Sequence, residues 1–162
     1  MDDGSRVAAR AAGWGKFRTE IAVRGARIIA DEPIEVGGGG EGPTPYELLS
    51  AALAACTSMT IRLYAERKGW TLPTFTVEVG HELAGTGGAG RDRDRFDRQI
   101  IFDAPLSDEQ RAKLLEIAEK CPVHRTLVRG FEVTPRSGAP DAPVAAEPPA
   151  RPEQEMERAC AE

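Results

Sequence analysis

Thr44-Pro45-Tyr46-Glu47-Leu48-Leu49-Ser50-Ala51-Ala52-Leu53-Ala54-Ala55-Cys56-Thr57-Ser58-Met59-Thr60-Ile61-Arg62-Leu63-Tyr64-Ala65-Glu66-Arg67-Lys68-Gly69 is the stretch on which the reading of the whole chain turns. Thr44 as N-cap, Pro45 at the first helical position and Glu47 three residues after the cap form a capping box; Arg67, Lys68 and Gly69 supply a basic last turn and a glycine stop. The pattern predicts a helix of about six turns. Its expected apolar stripe is Leu49, Leu53, Cys56, Met59, Thr60 and Leu63, spaced by three and four, which puts Cys56 on a packed face. Ala51, Ala52, Ala54 and Ala55 strip side-chain bulk from one turn, so another backbone can approach closely and a small space is left beside the thiol.

Upstream, KFRTEIAVRG and ARIIADEP are short runs rich in β-branched and aromatic residues that meet at Gly25 and predict a hairpin, with residues 6–11 as a further strand before the Gly13-Trp14-Gly15 turn. Gly37 to Pro43 reads as a flexible connector; a phosphate cradle would end in Gly-Lys-Ser/Thr, which is missing. Downstream, TFTVEVGHEL and RFDRQIIFDA alternate as antiparallel partners across a loop at Gly85 to Gly90. Ser107-Asp108-Glu109-Gln110 is a second capping box, opening an amphipathic helix that offers Leu114, Leu115, Ile117 and Ala118 to the core. Pro122 ends that helix and begins a short one, and Phe131-Glu132-Val133 reads as a final strand. Strands and helices segregated in this way predict an α+β fold rather than a parallel α/β sheet.

The 162 residues suit one domain, expected over 1–136, followed by an Ala/Pro/Glu-rich tail over 137–162 that is too poor in large apolar side chains to offset its ordering entropy, with at most a frayed helix near Glu153 to Ala161. Lys plus Arg number 21 against 26 Asp plus Glu, a net charge of -5, so nucleic acid is not an expected partner. The acidic start lacks a secretory pattern and the longest apolar run, Leu48 to Cys56, is too short for a bilayer, so the expected location is cytoplasmic, with no membrane partner. Three cysteines make no disulfide framework.

Two of those cysteines fall in predicted elements, 65 positions apart. Cys121 lies just ahead of a helix start, where free N–H groups and the positive end of the helix dipole favour a thiolate, with His124 and Arg125 adding to the field. Cys56 lies mid-helix on the buried side, where desolvation raises a thiol's pKa, so its reactivity requires a cation from elsewhere. The bland alternative for each is a small buried hydrophobe. Cys121-x-x-His124 is also half of a zinc pattern, with Cys56 or His81 as further ligands, but no second local pair is present and neither a metal nor a cofactor is expected. His81 reads as an ordinary strand residue, Cys160 as an exposed thiol, and Arg91 to Arg95 as a solvated run of alternating charge. No Gly-x-Ser-x-Gly elbow supports a hydrolase.

Taken together, the glycine-rich connector, GPTPYELLSAALAACTSMTIRLYAERKGW and KCPVHRTL, joined by RTEIAVRGARIIADEP and RFDRQI, resemble the OsmC/Ohr family of osmotically induced and organic-hydroperoxide-resistance proteins across most of residues 6–135. The resemblance implies an interlocked homodimer with long central helices wrapped by antiparallel sheets. It implies a thiol-dependent peroxidase of organic hydroperoxides, with Cys56 peroxidatic, Cys121 resolving and a dithiol, such as a lipoylated protein, as reductant. The alternative within the family is a small-molecule binding or redox-sensing protein without turnover. The cation beside Cys56 is, by the same resemblance, an arginine from the N-terminal strands, Arg18 ahead of Arg24 and Arg27, held by a glutamate at the start of the long helix. The hydroperoxide branch places that glutamate ten residues before the cysteine, where this chain has Tyr46; Glu47 stands nine before, about a quarter turn round the helix.

Overall fold

The computed structural model describes residues 7–11, 15–85 and 93–137. The chain divides into two compact units, one holding the described residues up to Leu48 and from Glu132 onward, the other running from Leu49 to Phe131. In the first, β1 (Ala8–Ala11), β2 (Thr19–Val23) and β3 (Ala26–Ala30) form an antiparallel sheet in that order. Val23 faces Ala26 across a two-residue turn whose central residues, Arg24 and Gly25, both have positive φ. That backbone twist matches the twist of the flanking strands.

The glycine-rich segment after β3 is anchored rather than flexible. The side chain of Asp31, only 2% of whose surface is exposed as a residue, accepts N–H bonds from Glu32 and Gly39 at 2.9 Å and from Glu41 at 3.3 Å. Gly38 and Gly42 lie so close to the carbonyls of Glu32 and Ile29 that a Cβ at either position would collide with backbone. Composition reads such a run as loose, whereas here glycine permits close backbone contact. The Asp31 amide donates to the Pro43 carbonyl at 3.2 Å, which fixes the chain just before Thr44. There the capping box forms as expected: the Thr44 N–H donates to Glu47 Oε2 at 2.7 Å and the Glu47 N–H to Thr44 Oγ1 at 3.2 Å.

Helix α1 runs from Pro45 to Arg67, with its first turn in the first unit and its remainder in the second. It is long and apolar enough to cross a membrane by length and composition, a test that the shorter Leu48–Cys56 run fails, but 33% of the qualifying window is buried within the protein. Its buried face holds Ser50, Leu53, Thr57, Thr60, Ile61, Tyr64 and Ala65. The expected stripe is therefore corrected: Leu49 and Met59 are 42% and 54% exposed, and Cys56 is half-buried. Leu53 and Thr60 are buried as expected, and Thr57, outside that stripe, joins them because its hydroxyl accepts a hydrogen bond from Arg98.

The rest of the second unit encloses that face. Strands β4 (Phe75–Glu82) and β5 (Arg95–Phe102) pair antiparallel from Phe75 opposite Phe102 to Glu82 opposite Arg95. Helix α2 (Asp108–Glu119) opens on the Ser107 and Gln110 capping box, and α3 (Pro122–Arg129) begins at Pro122 with Cys121 as its N-cap. Ile61 and Tyr64 of α1 form the core with Leu114, Ile117 and Ala118 of α2, and Trp70, Phe75, Ile100 and Phe102 pack against it. Leu115, expected in that core, is 48% exposed, one position off the buried face. Phe131 to Val133 form no strand: Gly130 ends α3 with a positive φ, and the exposed residues after it find no ladder partner among the described residues. The expected tail, from residue 138 onward, and the Gly13-Trp14 turn lie outside the described residues.

The Asp31 carboxyl sits below its ordinary pKa because, although burial opposes ionisation, the N–H groups of Glu32, Glu41 and Gly39 favour the anion. A lowered carboxylate pKa adds stability above the ordinary carboxylate range, and that contribution is lost as pH falls through the folded value. Asp31→Ala should lower the melting temperature by about 5 °C or more at neutral pH. The deficit relative to wild type should shrink in acid, with exposed Glu35→Ala as the silent control. Equal melting curves for Asp31→Ala and wild type would show that the carboxylate does not hold the segment.

Candidate functional site

Two sulfurs meet in the second unit. Cys56 comes from the middle of α1 and Cys121 from the junction of α2 and α3, where Lys120 ends one helix and Pro122 starts the next. The Cys121 N–H donates back to the Ala118 carbonyl at 3.3 Å and its own carbonyl accepts the Arg125 N–H at 3.0 Å, so the residue is held between two helix ends. Its side chain is wholly buried, while Cys56 is half-buried, and both thiols are free. Each side chain is the first influence on the other's ionisation, acting as a hydrogen-bond partner.

A thiol–thiol hydrogen bond has one natural owner for its proton, decided by what else each sulfur touches. Cys121 is held below the usual thiol range first by the hydrogen bond from Cys56; burial opposes this, and the His124 amide, the Thr57 hydroxyl and the Val123 amide reinforce it. Pro122 has no N–H to offer, so the donors come from the next two residues of the first turn. Cys56 is held above the usual range by the same hydrogen bond and by burial, which outweigh the Val123 amide and the Thr60 hydroxyl. The Thr60 hydroxyl donates to the Cys56 carbonyl at 2.8 Å. That single proton is then spent on backbone, which leaves the Cys56 sulfur the poorer site for charge. Of the pair, Cys121 is the sulfur favoured toward the thiolate and Cys56 the one held toward the thiol.

Arg98 is the residue that reading the sequence alone passed over. On β5 it occupies the same inward phase as Phe96, Ile100 and Phe102, and an arginine on the apolar phase of a half-buried strand was the available signal. Its guanidinium donates from one nitrogen to Thr57 Oγ1 and the Ala118 carbonyl, each at 3.1 Å, and from the other to Glu119 Oε1 at 2.9 Å. The other oxygen of Glu119 meets His124 Nε2 at 3.1 Å. His124 therefore sits beside Glu119 rather than in a metal half-site, and no group of three potential ligands occurs among the described residues. A cavity of about 460 Å³ next to this network is lined by Leu53, Phe96, Arg98, His124 and Leu127 among others. Met59 and Trp70 do not line it; Trp70 packs edge-on to Tyr64, with ring centroids 5.7 Å apart.

Arg18 and Glu47 lie in the first unit. Arg18 Nε donates to Glu41 Oε2 at 2.8 Å, and Glu20 Oε1 lies 3.6 Å from its terminal nitrogen. The Glu47 carboxylate accepts the Thr44 amide. The carboxylate that buttresses Arg18 is thus one that the sequence reading missed, Glu41 in GEGP ahead of the helix. His81 pairs with Asp94 at 3.3 Å at the end of the β4–β5 ladder, an ordinary strand role.

The sequence pattern that defines the OsmC-like protein family matches residues 38–136, more than half of the chain. No curated protein matches it. Among solved structures, an osmotic-stress-induced and detoxification-response protein from Psychrobacter arcticus is similar at 26% identity and a TM-score of 0.62, over 74% of this chain and 85% of that one. An OsmC-like protein from Mycoplasma pneumoniae has 22% identity and a TM-score of 0.63, over 79% and 89%. An organic hydroperoxide resistance protein from Legionella pneumophila has 21% identity and a TM-score of 0.57, over 78% and 89%.

Because the Cys56 thiol is the largest influence lowering Cys121, Cys56→Ala should raise the pH at which Cys121 ionises. Ultraviolet thiolate absorbance followed against pH, in a Cys160→Ser background, reads this directly. An unchanged Cys121 midpoint would mean that the two thiols do not share a proton.

Proposed function

The chain belongs to the OsmC family, and we propose that it is a thiol-dependent peroxidase that reduces organic hydroperoxides with Cys56 as the attacking sulfur and Cys121 as the resolving one. The observation that carries this reading is the pairing of a half-buried free thiol with a fully buried one, each the first influence on the other's ionisation. Of the two, Cys56 has the surface that a hydroperoxide can reach, and Cys121 has the charge that can take its proton. Exposure and acidity are divided between the sulfurs, so attack and proton acceptance are too.

In the first step Cys56 passes its proton to Cys121 and its thiolate attacks the distal oxygen of the hydroperoxide. The O–O bond breaks, the sulfur keeps the distal hydroxyl as a sulfenic acid, and the departing alkoxide takes the proton from Cys121 to leave as an alcohol. Cys121, again a thiolate, attacks the sulfenyl sulfur of Cys56; the S–O bond breaks, and the hydroxide leaves as water after taking up a proton from solvent. A dithiol reductant, of which a lipoylated protein is the proposed example, supplies the two electrons that reopen the disulfide. No metal or cofactor takes part in these steps.

The family likeness assigns the hydroperoxide-facing cation to Arg18. Supporting that role, Glu41 and Glu20 brace its guanidinium, whose side chain is 12% exposed. Glu47 is proposed as a positioning residue only through its cap on α1. The proposed homodimer is supported by the exposed apolar face of α1, where Leu49, Ala52, Ala55 and Met59 are left uncovered by their own unit. Packing against a second copy would remove that face from water. The proposed site of action is the cytoplasm.

Reduced protein mixed with cumene hydroperoxide and a dithiol should consume peroxide catalytically, and Cys56→Ser should lose at least a hundredfold of that rate. One equivalent of oxidant without reductant should leave a Cys56–Cys121 disulfide, seen by peptide mass spectrometry. Activity in Cys56→Ser equal to wild type would defeat the reading, and binding of the hydroperoxide without consumption would favour a family member that senses or carries a small molecule.

A further inference from the structure

We propose that the cavity walled by α1, β5 and α3 is a binding site for a small amphipathic carboxylate, an acid with a compact aryl or branched apolar body, held at its mouth by Arg93. The cavity measures about 460 Å³. That lies within the range of about 300–1,000 Å³ that small-molecule sites occupy. Neither thiol is among the residues that line it, so the site lies outside the sulfur pair and stands whether or not the chain reduces peroxides.

The walls give an occupant its direction. Leu53 lines the cavity yet is only 3% exposed, so it belongs to the floor. Phe96 and Leu127 are half-buried and form the sides. Val128, 70% exposed, lies at the rim with Arg93 and Asp94, which are exposed as well. An apolar body gains by leaving water for Leu53, Phe96 and Leu127, and a charged end is held back at the rim by its own hydration.

Hydrogen-bond accounting decides the sign of that end. Asp94 Oδ1 accepts the Ala84 N–H at 2.8 Å, and Oδ2 lies 3.3 Å from His81 Nε2. Glu119 Oε1 accepts from Arg98 at 2.9 Å, and Oε2 lies 3.1 Å from His124 Nε2. Every oxygen of the two lining carboxylates therefore has a partner already. Arg98 is engaged with Thr57 and Ala118 besides Glu119. Of the ionic side chains around the cavity, Arg93 alone makes no hydrogen bond or ion pair among the described residues. A guanidinium only donates, and its planar fork matches the two oxygens of a carboxylate. An acid thus meets an uncommitted pair of donors at the rim. An amine of the same shape would meet a cation there, with both lining carboxylates already engaged.

Hydrocinnamate is a suitable probe, with hydrocinnamamide and phenylpropylamine as its neutral and cationic counterparts. Titrated into reduced protein without peroxide, hydrocinnamate should shift the NMR signals of Leu53, Leu127 and Val128 saturably, with a dissociation constant on the order of 1 mM or tighter. Arg93→Gln should weaken the acid about fivefold, the scale of an ion pair at a cavity rim. Arg129→Gln, the same change of charge at a residue outside the lining, should leave its affinity unaltered. The amide should bind wild type about fivefold more weakly than the acid and be indifferent to Arg93→Gln, and the amine should bind more weakly still. Shifts that do not saturate, acid and amine bound alike, or an acid affinity unchanged in Arg93→Gln would each overturn the proposal. Peroxide consumption by a protein that fails these titrations would leave the peroxidase reading standing and remove this site.

Discussion

Two sulfurs that act on one another's ionisation, one half-buried and one buried, are the constraint on which the proposed chemistry of this chain depends. Both thiols are removed from bulk water to different degrees, so neither would ionise readily alone. Bringing them together lets one be charged at the expense of the other. The Cys56 side chain contributes most to lowering Cys121, and the His124 and Val123 amides of α3, which a helix start leaves without internal acceptors, add to it. Cys56 gains no comparable set of donors from mid-helix, where the backbone N–H groups are already used.

The elements of the second unit follow from the need to build that contact. Helix α1 brings Cys56 and Thr57 on adjacent positions, so the thiol and the hydroxyl project about 100° apart around the axis. Pro122 halts α2 and starts α3 at once, which places Cys121 at the junction. Arg98 then reaches in from β5 and ties α1 to the end of α2. A largely enclosed arginine is costly unless its donors find partners, and here Thr57, Ala118 and Glu119 accept three hydrogen bonds from it.

The helices were legible in the sequence because their ends are written locally. Thr44, Glu47, Ser107 and Gln110 are capping residues that act over three positions, and Pro122 both ends and begins a helix by its ring alone. The β2–β3 hairpin and the β4–β5 ladder were legible through alternation. What escaped was set at longer range. Leu49 and Met59 fit the apolar period, yet Thr57 took a place on the buried face because Arg98 satisfied its hydroxyl. Phe131 to Val133 have strand composition, but a strand needs a partner edge and residue type cannot supply one. Glu41 and Arg98, the two side chains that complete the ionic networks, make bonds across 23 and 41 residues, beyond the reach of any motif. The pairing of Cys56 with Cys121 came from resemblance to the OsmC family rather than from spacing.

The most direct trial is to identify which sulfur first receives oxygen. Wild-type protein would be exposed briefly to substoichiometric cumene hydroperoxide in the presence of a sulfenic-acid trap, quenched at increasing times and mapped by peptide mass spectrometry. A trapped adduct on Cys56 that gives way with time to the Cys56–Cys121 disulfide is the expected result. An adduct that forms first on Cys121, the buried and more acidic thiol, would contradict the separation of attack from proton acceptance on which the whole mechanism stands.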